Sequence, residues 1–412
     1  MRKHLIGLLT IAVSLALSAH AQTYTESTLH AYTTANPVGT LTADSAGNLY
    51  GALDWTGSCA PGKTGVDCGL IFKLNSAGQE TVLHKFTALA NGASPVAPLT
   101  RDSAGNLYGV TKEGGHTSGT FAYGLGTIFK INPQGKFSIL HKFAASGAEG
   151  ALPVGPLTLD STGNLYGTTE QGGSSSSSCA SGCGVVFKLT PKGVFSVLQT
   201  FTEPEGFLPR GNLILDSAGN IYGTTDFGGP VGGFNPSDGV LFELTPKGDE
   251  TVLYSFNTGQ CGDGCNGSYI VRDSQGNFFG SGYNASPDFD AGGIFEISAS
   301  DAESFSYYFC PGVDNPCPNG ALPFGQIVES GGLLYGTTET GGGATQQEFG
   351  QGVVYELNPS TATENVLYAF PTQSGGLCNP QGITMDAKGN LYGTATYCYG
   401  VTGGVVFKLT KH

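Results

Sequence analysis

The side chains of this sequence able to do chemistry mostly recur at fixed intervals, and that recurrence governs how each is read. His30, His84 and His141 occupy one position of a repeating segment, which other copies fill with Gln199, Tyr254, Tyr307 and Tyr368. A residue shared among copies serves the fold rather than one active centre, so these histidines read as packing groups. Only His116 breaks the repeat in a loop, where it is a candidate binding residue. One histidine with no nucleophile elbow beside it does not complete a Ser-His-Asp or Cys-His arrangement. Asp54, Glu170, Asp226 and Glu339 recur just after one strand of the repeat. A pair of such carboxylates could act as acid and base on a glycosidic bond, but their recurrence favours a structural role. Asp44, Asp102, Asp160, Asp216, Asp273 and Asp386 each open a turn, where an aspartate hydrogen-bonds its own backbone. Asp288-Phe289-Asp290, with Asp263 in a nearby loop, is a candidate Ca²⁺ site, although its spacing is not that of an EF-hand. No other cofactor is expected.

Residues that differ between copies carry the binding expectations. Trp55, Phe227 and Tyr397 each fall four residues after the same repeat glycine, and Tyr123, Tyr283 and Tyr399 stand in other long loops. Such rings stack on sugars or anchor a protein partner, and otherwise pack their own loops. Arg210 replaces a small or apolar residue at the start of one strand, where it could meet a carboxylate ligand or pair with an aspartate of the next loop. The ten cysteines fall in the same loops and suggest five disulfides: Cys59 with Cys68, Cys179 with Cys183, Cys261 with Cys265, Cys310 with Cys317, and Cys378 with Cys398. The Cys-x-x-x-Cys spacings at 179 and 261 match paired zinc ligation poorly.

These positions are set by a repeat of 56–58 residues, marked by the aromatic before a glycine at Tyr50, Tyr108, Tyr166, Tyr222, Phe279, Tyr335 and Tyr392. That period is too long for a solenoid rung. Each copy reads as four short strands: Pro-x-Gly-x-Leu-x-x-Asp, then Asn-Leu-Tyr-Gly-Thr-Thr, then Val-Phe-Lys-Leu, then Val-Leu-His-x-Phe. Tight hairpins, Asp-Ser-Ala-Gly-Asn and Thr-Pro-Lys-Gly (Thr190 to Gly193, Thr245 to Gly248), join the first to the second and the third to the fourth. The third motif occurs seven times, whereas only six copies of the fourth follow it. The seventh, Glu26 to Tyr32, precedes the first unit. The expected fold is therefore all-β: a seven-bladed propeller of four-stranded blades, its ring closed by the N-terminal strand completing the last blade beside Val405 to Leu409. The first strand of each blade should line the channel. The long loops, such as Ala52 to Cys68, Thr111 to Leu125, Thr168 to Cys183 and Thr337 to Gln351, should share one face and carry the function.

The Gly-Asn-Leu-Tyr-Gly-Thr-Thr and Gly-Val-Val-Phe-Lys-Leu-Thr-Pro-Lys-Gly strings resemble the tandem repeat of the bacterial exported "choice-of-anchor GloVer" family. The Pro-x-Gly-x-Leu-x-x-Asp-x-x-Gly-Asn strand is similar to NHL-type propeller repeats. The resemblance spans nearly all of the chain and implies a secreted or surface propeller, without assigning an activity or catalytic residue.

Composition agrees. With 66 glycines and 12% charged residues in 412, helix bundles are excluded. A formal charge of -14 disfavours nucleic acid and anionic lipid as partners. Residues 1–21 read as a signal peptide: Arg2 and Lys3, an apolar run from Leu5 to Leu17, then Ala19-His20-Ala21. Cleavage after Ala21 predicts a secreted or periplasmic chain, one propeller domain over 22–412, with no membrane insertion and monomeric. The functional expectation is a binding or scaffold propeller for carbohydrate or protein. The alternatives are a propeller enzyme (lyase, lactonase or glycan-active hydrolase) with its site at the channel mouth, and a structural cell-surface component.

Overall fold

In every blade one glycine of the second strand lies against the tip of one aromatic ring of the third, and this contact explains the most regular feature of the sequence. A Cβ added at Gly51, Gly109, Gly167, Gly223, Gly280, Gly336 or Gly393 would come within 2.3–2.7 Å of Phe72, Phe129, Phe187, Phe242, Phe295, Tyr355 or Phe407 respectively. Those seven rings are all buried. Glycine is required there by close approach.

The computed structural model describes residues 23–33, 35–54, 59, 67–87, 89–229, 239–256, 269–282, 291–299, 303–310, 317–343, 351–370, 379–396 and 403–412. Their strands form seven four-stranded antiparallel sheets, each in sequence order but one. Blade three is representative: Thr158–Leu159, Leu165–Thr169, Val185–Leu189 and Phe195–Thr200. The exception is blade seven, where Pro380–Met385, Leu391–Ala395 and Val405–Lys411 are completed by Tyr24–Ala31. Tyr24 pairs with Lys411 and Ala31 with Val405. The ring closes as the repeat count requires. All seven outermost pairings carry the same irregularity, one extra residue in the outermost strand opposite the step into the third-strand aromatic, as Leu83 opposite Ile71/Phe72 and, in the closing pair, Leu29 opposite Val406/Phe407. A bulge at one fixed place in each blade adds the same twist to every sheet.

The first strands contact one another around the channel. Hydrogen bonds stitch them: Thr42 Oγ1 donates to Leu99 O, Thr100 Oγ1 to Leu157 O and Thr158 Oγ1 to Leu213 O. Asn212 and the Ile270 backbone exchange two bonds of 2.8 and 2.9 Å. Outside this belt, apolar clusters join each blade to the next, as where Tyr166 of blade three packs with Leu213, Ile221 and Leu244 of blade four. The tight turns take their shape from one carboxylate. Asp44 Oδ1 accepts the backbone N–H groups of Ala46 and Asn48, and Oδ2 accepts Asn48 Nδ2 and the Tyr50 hydroxyl, at 2.8–3.0 Å. Asp102, Asp160, Asp216 and Asp386 likewise hold their own Asn and Tyr.

The imidazoles of His84 and His141 stack at 3.6 and 4.0 Å on Phe137 and Phe195 of the following blade. Three disulfides lie among the described residues: Cys59–Cys68, Cys179–Cys183 and Cys310–Cys317. Cys261, Cys265, Cys378 and Cys398 lie outside them. Among the described residues no helix is long and apolar enough to cross a membrane.

Candidate functional site

The residue three after each repeat glycine stands at the long-loop end of the second strand, just past it in every described blade but the sixth. It is Asp54, Lys112, Glu170, Asp226, Glu339 and Thr396 in the described blades. Its N–H is fixed by one recurring bond, made to the residue that precedes a first-strand proline: Lys112 to Ser94 O, Glu170 to Leu152 O, Asp226 to Leu208 O, at 2.9–3.2 Å. Ser94, Leu152 and Leu208 have φ of 53–57°, a left-handed conformation that costs a side chain with a Cβ about 1 kcal/mol or more. Each is held there from the other side, because its own N–H donates to Cys68 O, Leu125 O or Cys183 O of the previous blade. Two of those three carbonyls belong to disulfide-bonded cysteines. The disulfides thus brace the nodes from which the mouth residues project.

Arg210 follows one such node, Leu208-Pro209, and joins two blades. Its Nη2 donates to Glu170 Oε1 at 2.6 Å, and Nη1 stands 3.0 Å from Asp226 Oδ2. Lys112 Nζ lies 3.6 Å from the other Glu170 oxygen. The carboxylates are nearly closed off, with side-chain exposures of 7% for Glu170 and 1% for Asp226, whereas Arg210 keeps 45% of its side chain open. Neither Asp226 oxygen accepts an aligned hydrogen bond. Burial, with a smaller contribution from the Glu170 charge, pushes the Asp226 carboxyl up to about 7 despite the opposing pull of Arg210. Glu113 is also pushed up by burial, against Lys112 and with Asp54, so the charged run extends to blade one. The result is a guanidinium presented to solvent on a fork of buried acids, with one of those acids poised to hold a proton near neutrality.

Of the residues singled out in the sequence, Arg210 stands at this centre and pairs with acids of two blades, Glu170 and Asp226. Tyr123 is 48% exposed in a blade-two loop. His116 lies in the same loop, exposed, with Nδ1–H donating to Phe143 O at 3.0 Å. Phe227 is half-buried, its ring stacked 5.4 Å from Phe207. Trp55, Tyr283, Tyr397, Tyr399, Asp263, Asp288 and Asp290 lie outside the described residues. Among the described residues no group of His, Cys, Asp and Glu has metal-binding geometry. The sequence reading missed Lys112, a cation where neighbouring blades place acids. It also missed the left-handed nodes, whose signal is an unremarked residue before proline.

The Gloeobacter/Verrucomicrobia repeat pattern matches residues 14–180 and 174–407. The chain belongs to that repeat family. No match was found among curated proteins. Among solved structures the chain is similar to a catalytically inactive virginiamycin B lyase from Staphylococcus aureus, solved with quinupristin. That likeness has a TM-score of 0.56 at 16% identity and covers 95% of this chain and 99% of the other. It is also similar to a gluconolactonase from Xanthomonas campestris, with a TM-score of 0.41 at 14% identity over 94% and 90% of the two chains. At 16% identity the likeness to the lyase is one of fold.

Proposed function

We propose that this protein is an exported propeller that binds a carbohydrate or protein ligand on its long-loop face, with Arg210 as the anchor. The observation that carries this reading is the half-open guanidinium held on two buried carboxylates. Its fork is fixed before a ligand arrives, so little side-chain freedom is lost on binding. Because Glu170 and Asp226 lie beneath it, an incoming hydroxyl or carbonyl meets N–H donors first, which suits recognition. The leader-like residues 1–21 and the disulfides, which persist in oxidising compartments, support export.

The test is a glycan array on the purified chain, with and without Ca²⁺, against Arg210→Lys and Trp55→Ala. Loss of the charge fork in Arg210→Lys should weaken binding about tenfold or more while preserving charge. Trp55→Ala should also weaken it if the aromatic residues form the rim. An array with no binder, or one unchanged by Arg210→Lys, overturns the proposal.

A second reading, an enzyme of the lyase, lactonase or glycan-hydrolase type, rests on Asp226. A carboxyl raised to about 7 beside a second carboxylate can hold and release a proton at working pH. Turnover of a lactone or glycan that falls with an apparent pKa near this value and is abolished by Asp226→Asn would favour that reading over simple binding.

A further inference from the structure

The tight-turn face carries a cleft of about 480 Å³ where blades seven and one meet, lined by Ala43, Asp44, Asp386, Lys388, Tyr392 and Lys408 among others. The internal repeat shows what this cleft lacks. Ala43, Arg101, Leu159, Leu215, Arg272, Glu329 and Met385 hold one register position, the end of the first strand. From there the side chain leans on the strand-two tyrosine of the preceding blade. Leu159 packs in the cluster of Tyr108, Leu215 in that of Tyr166 and Met385 in that of Tyr335. Arg101 reaches Tyr50. The guanidinium carbon of Arg272 lies 4.7 Å from the Tyr222 ring centre, with Nη1 3.9 Å from Asp216 Oδ2.

Ala43 is the smallest of the seven, and it faces the same Asp-Asn-Tyr cradle that Arg272 meets in blade four, although Leu49 and Lys408 stand where the Arg272 site has Phe278 and Glu243. Asp386 Oδ2 accepts Asn390 Nδ2 and the Tyr392 hydroxyl at 2.8 and 3.0 Å, as Asp216 Oδ2 accepts Asn220 Nδ2 and the Tyr222 hydroxyl, both at 3.1 Å. Lys408 Nζ lies 5.6 Å from the Tyr392 ring. A lysine there does not displace a guanidinium, since Lys73 stands 5.7 Å from Tyr50, the tyrosine that Arg101 also reaches.

We propose that the seam cleft binds a guanidinium group supplied by a small ligand, stacked on Tyr392 and directed at Asp386, in the place that blades two and five fill with their own arginines. Lys388 and Lys408 stand where a carboxylate carried by the same ligand would be met, which makes free arginine the natural probe.

Calorimetric titration of the purified chain with L-arginine, agmatine and L-citrulline tests this. Arginine and agmatine should bind in the millimolar range. Citrulline has the shape without the charge and should bind at least about tenfold more weakly. Tighter binding of arginine than agmatine includes the lysines in the site, and equal binding confines it to Asp386 and Tyr392. Ala43→Arg supplies the missing group from within the chain and should abolish arginine binding, whereas Ala43→Ser should retain it. Absence of arginine and agmatine binding up to about 50 mM overturns the proposal. So does citrulline binding as well as arginine, or an Ala43→Arg protein with native circular dichroism that still binds.

Discussion

Asp160, on the tight-turn face of blade three, and Asp226, at the mouth of blade four, have the same side chain in opposite electrostatic settings. Partial burial raises Asp160, but donors from Asn164 and Thr162 outweigh it and bring the carboxyl down to about 2. Asp226 is buried without an aligned donor and is pushed up to about 7. One acid is consumed in building a turn. The other is kept under strain by its surroundings, as acids in working sites are. The faces differ for the same reason: short loops satisfy their own polar groups, whereas the mouth is assembled from blades that meet only in the ring.

The comparison can be broken most severely at Arg210. Arg210→Ala strands two buried carboxylates and should cost about 3–5 kcal/mol in urea unfolding at pH 8. The loss should shrink at pH 5, where Asp226 takes up a proton.

Asp226→Asn tests the sign directly. Because its folded value lies above the usual 3.8, Asp226 contributes stability that is present below pH 4 and lost as pH rises through about 7. The wild-type chain should therefore lose up to about 1.4 kcal/mol per pH unit relative to the variant across that window. A difference independent of pH would mean that Asp226 is an ordinary ionised partner of Arg210. Asp160 runs the other way, its contribution present above pH 4 and lost as pH falls towards 2.

Replacing Cys179 and Cys183 together by alanine should cost about 2 kcal/mol and loosen the Leu208 node, measured as faster amide exchange at Asp226. Asp160→Ala should cost about 1–2 kcal/mol in thermal unfolding, because it removes the acceptor of an otherwise satisfied turn. At the small end, Tyr123→Ala should change stability by less than about 0.5 kcal/mol, so any loss of glycan binding in that variant reports on the ligand.

The blade number and the closing strand were legible in the sequence because each rests on repeated local chemistry: a glycine against a ring tip in all seven blades, and an aspartate opening the turn in six of them. The pairs Cys59–Cys68, Cys179–Cys183 and Cys310–Cys317 were legible from short spacing within one loop. Pairing of Arg210 with an aspartate of the next loop was one of two readings the sequence left open, and Asp226 is that aspartate; its union with Lys112 and Glu170 was not legible, since those residues belong to other blades and meet only through neighbouring sheets and the reach of a guanidinium. Leu152 and Leu208 were hidden for a different reason. Local preference argues against a left-handed leucine, and only hydrogen bonds from two other segments hold it there. Phe227 illustrates the converse, a loop aromatic whose stacking partner, Phe207, lies in another loop of its own blade.

With Tyr24 opposite Lys411, and the His412 N–H bonded to Thr23 O at 3.0 Å, residues 23 and 412 are neighbours on one rim. A short peptide bridge could join them and fresh ends could be opened at the solvent-exposed bend around Gly193, turning the protein into a circular permutant with every sheet intact. Cargo genetically attached directly at Thr23 or at His412 would emerge at a single spot on the rim.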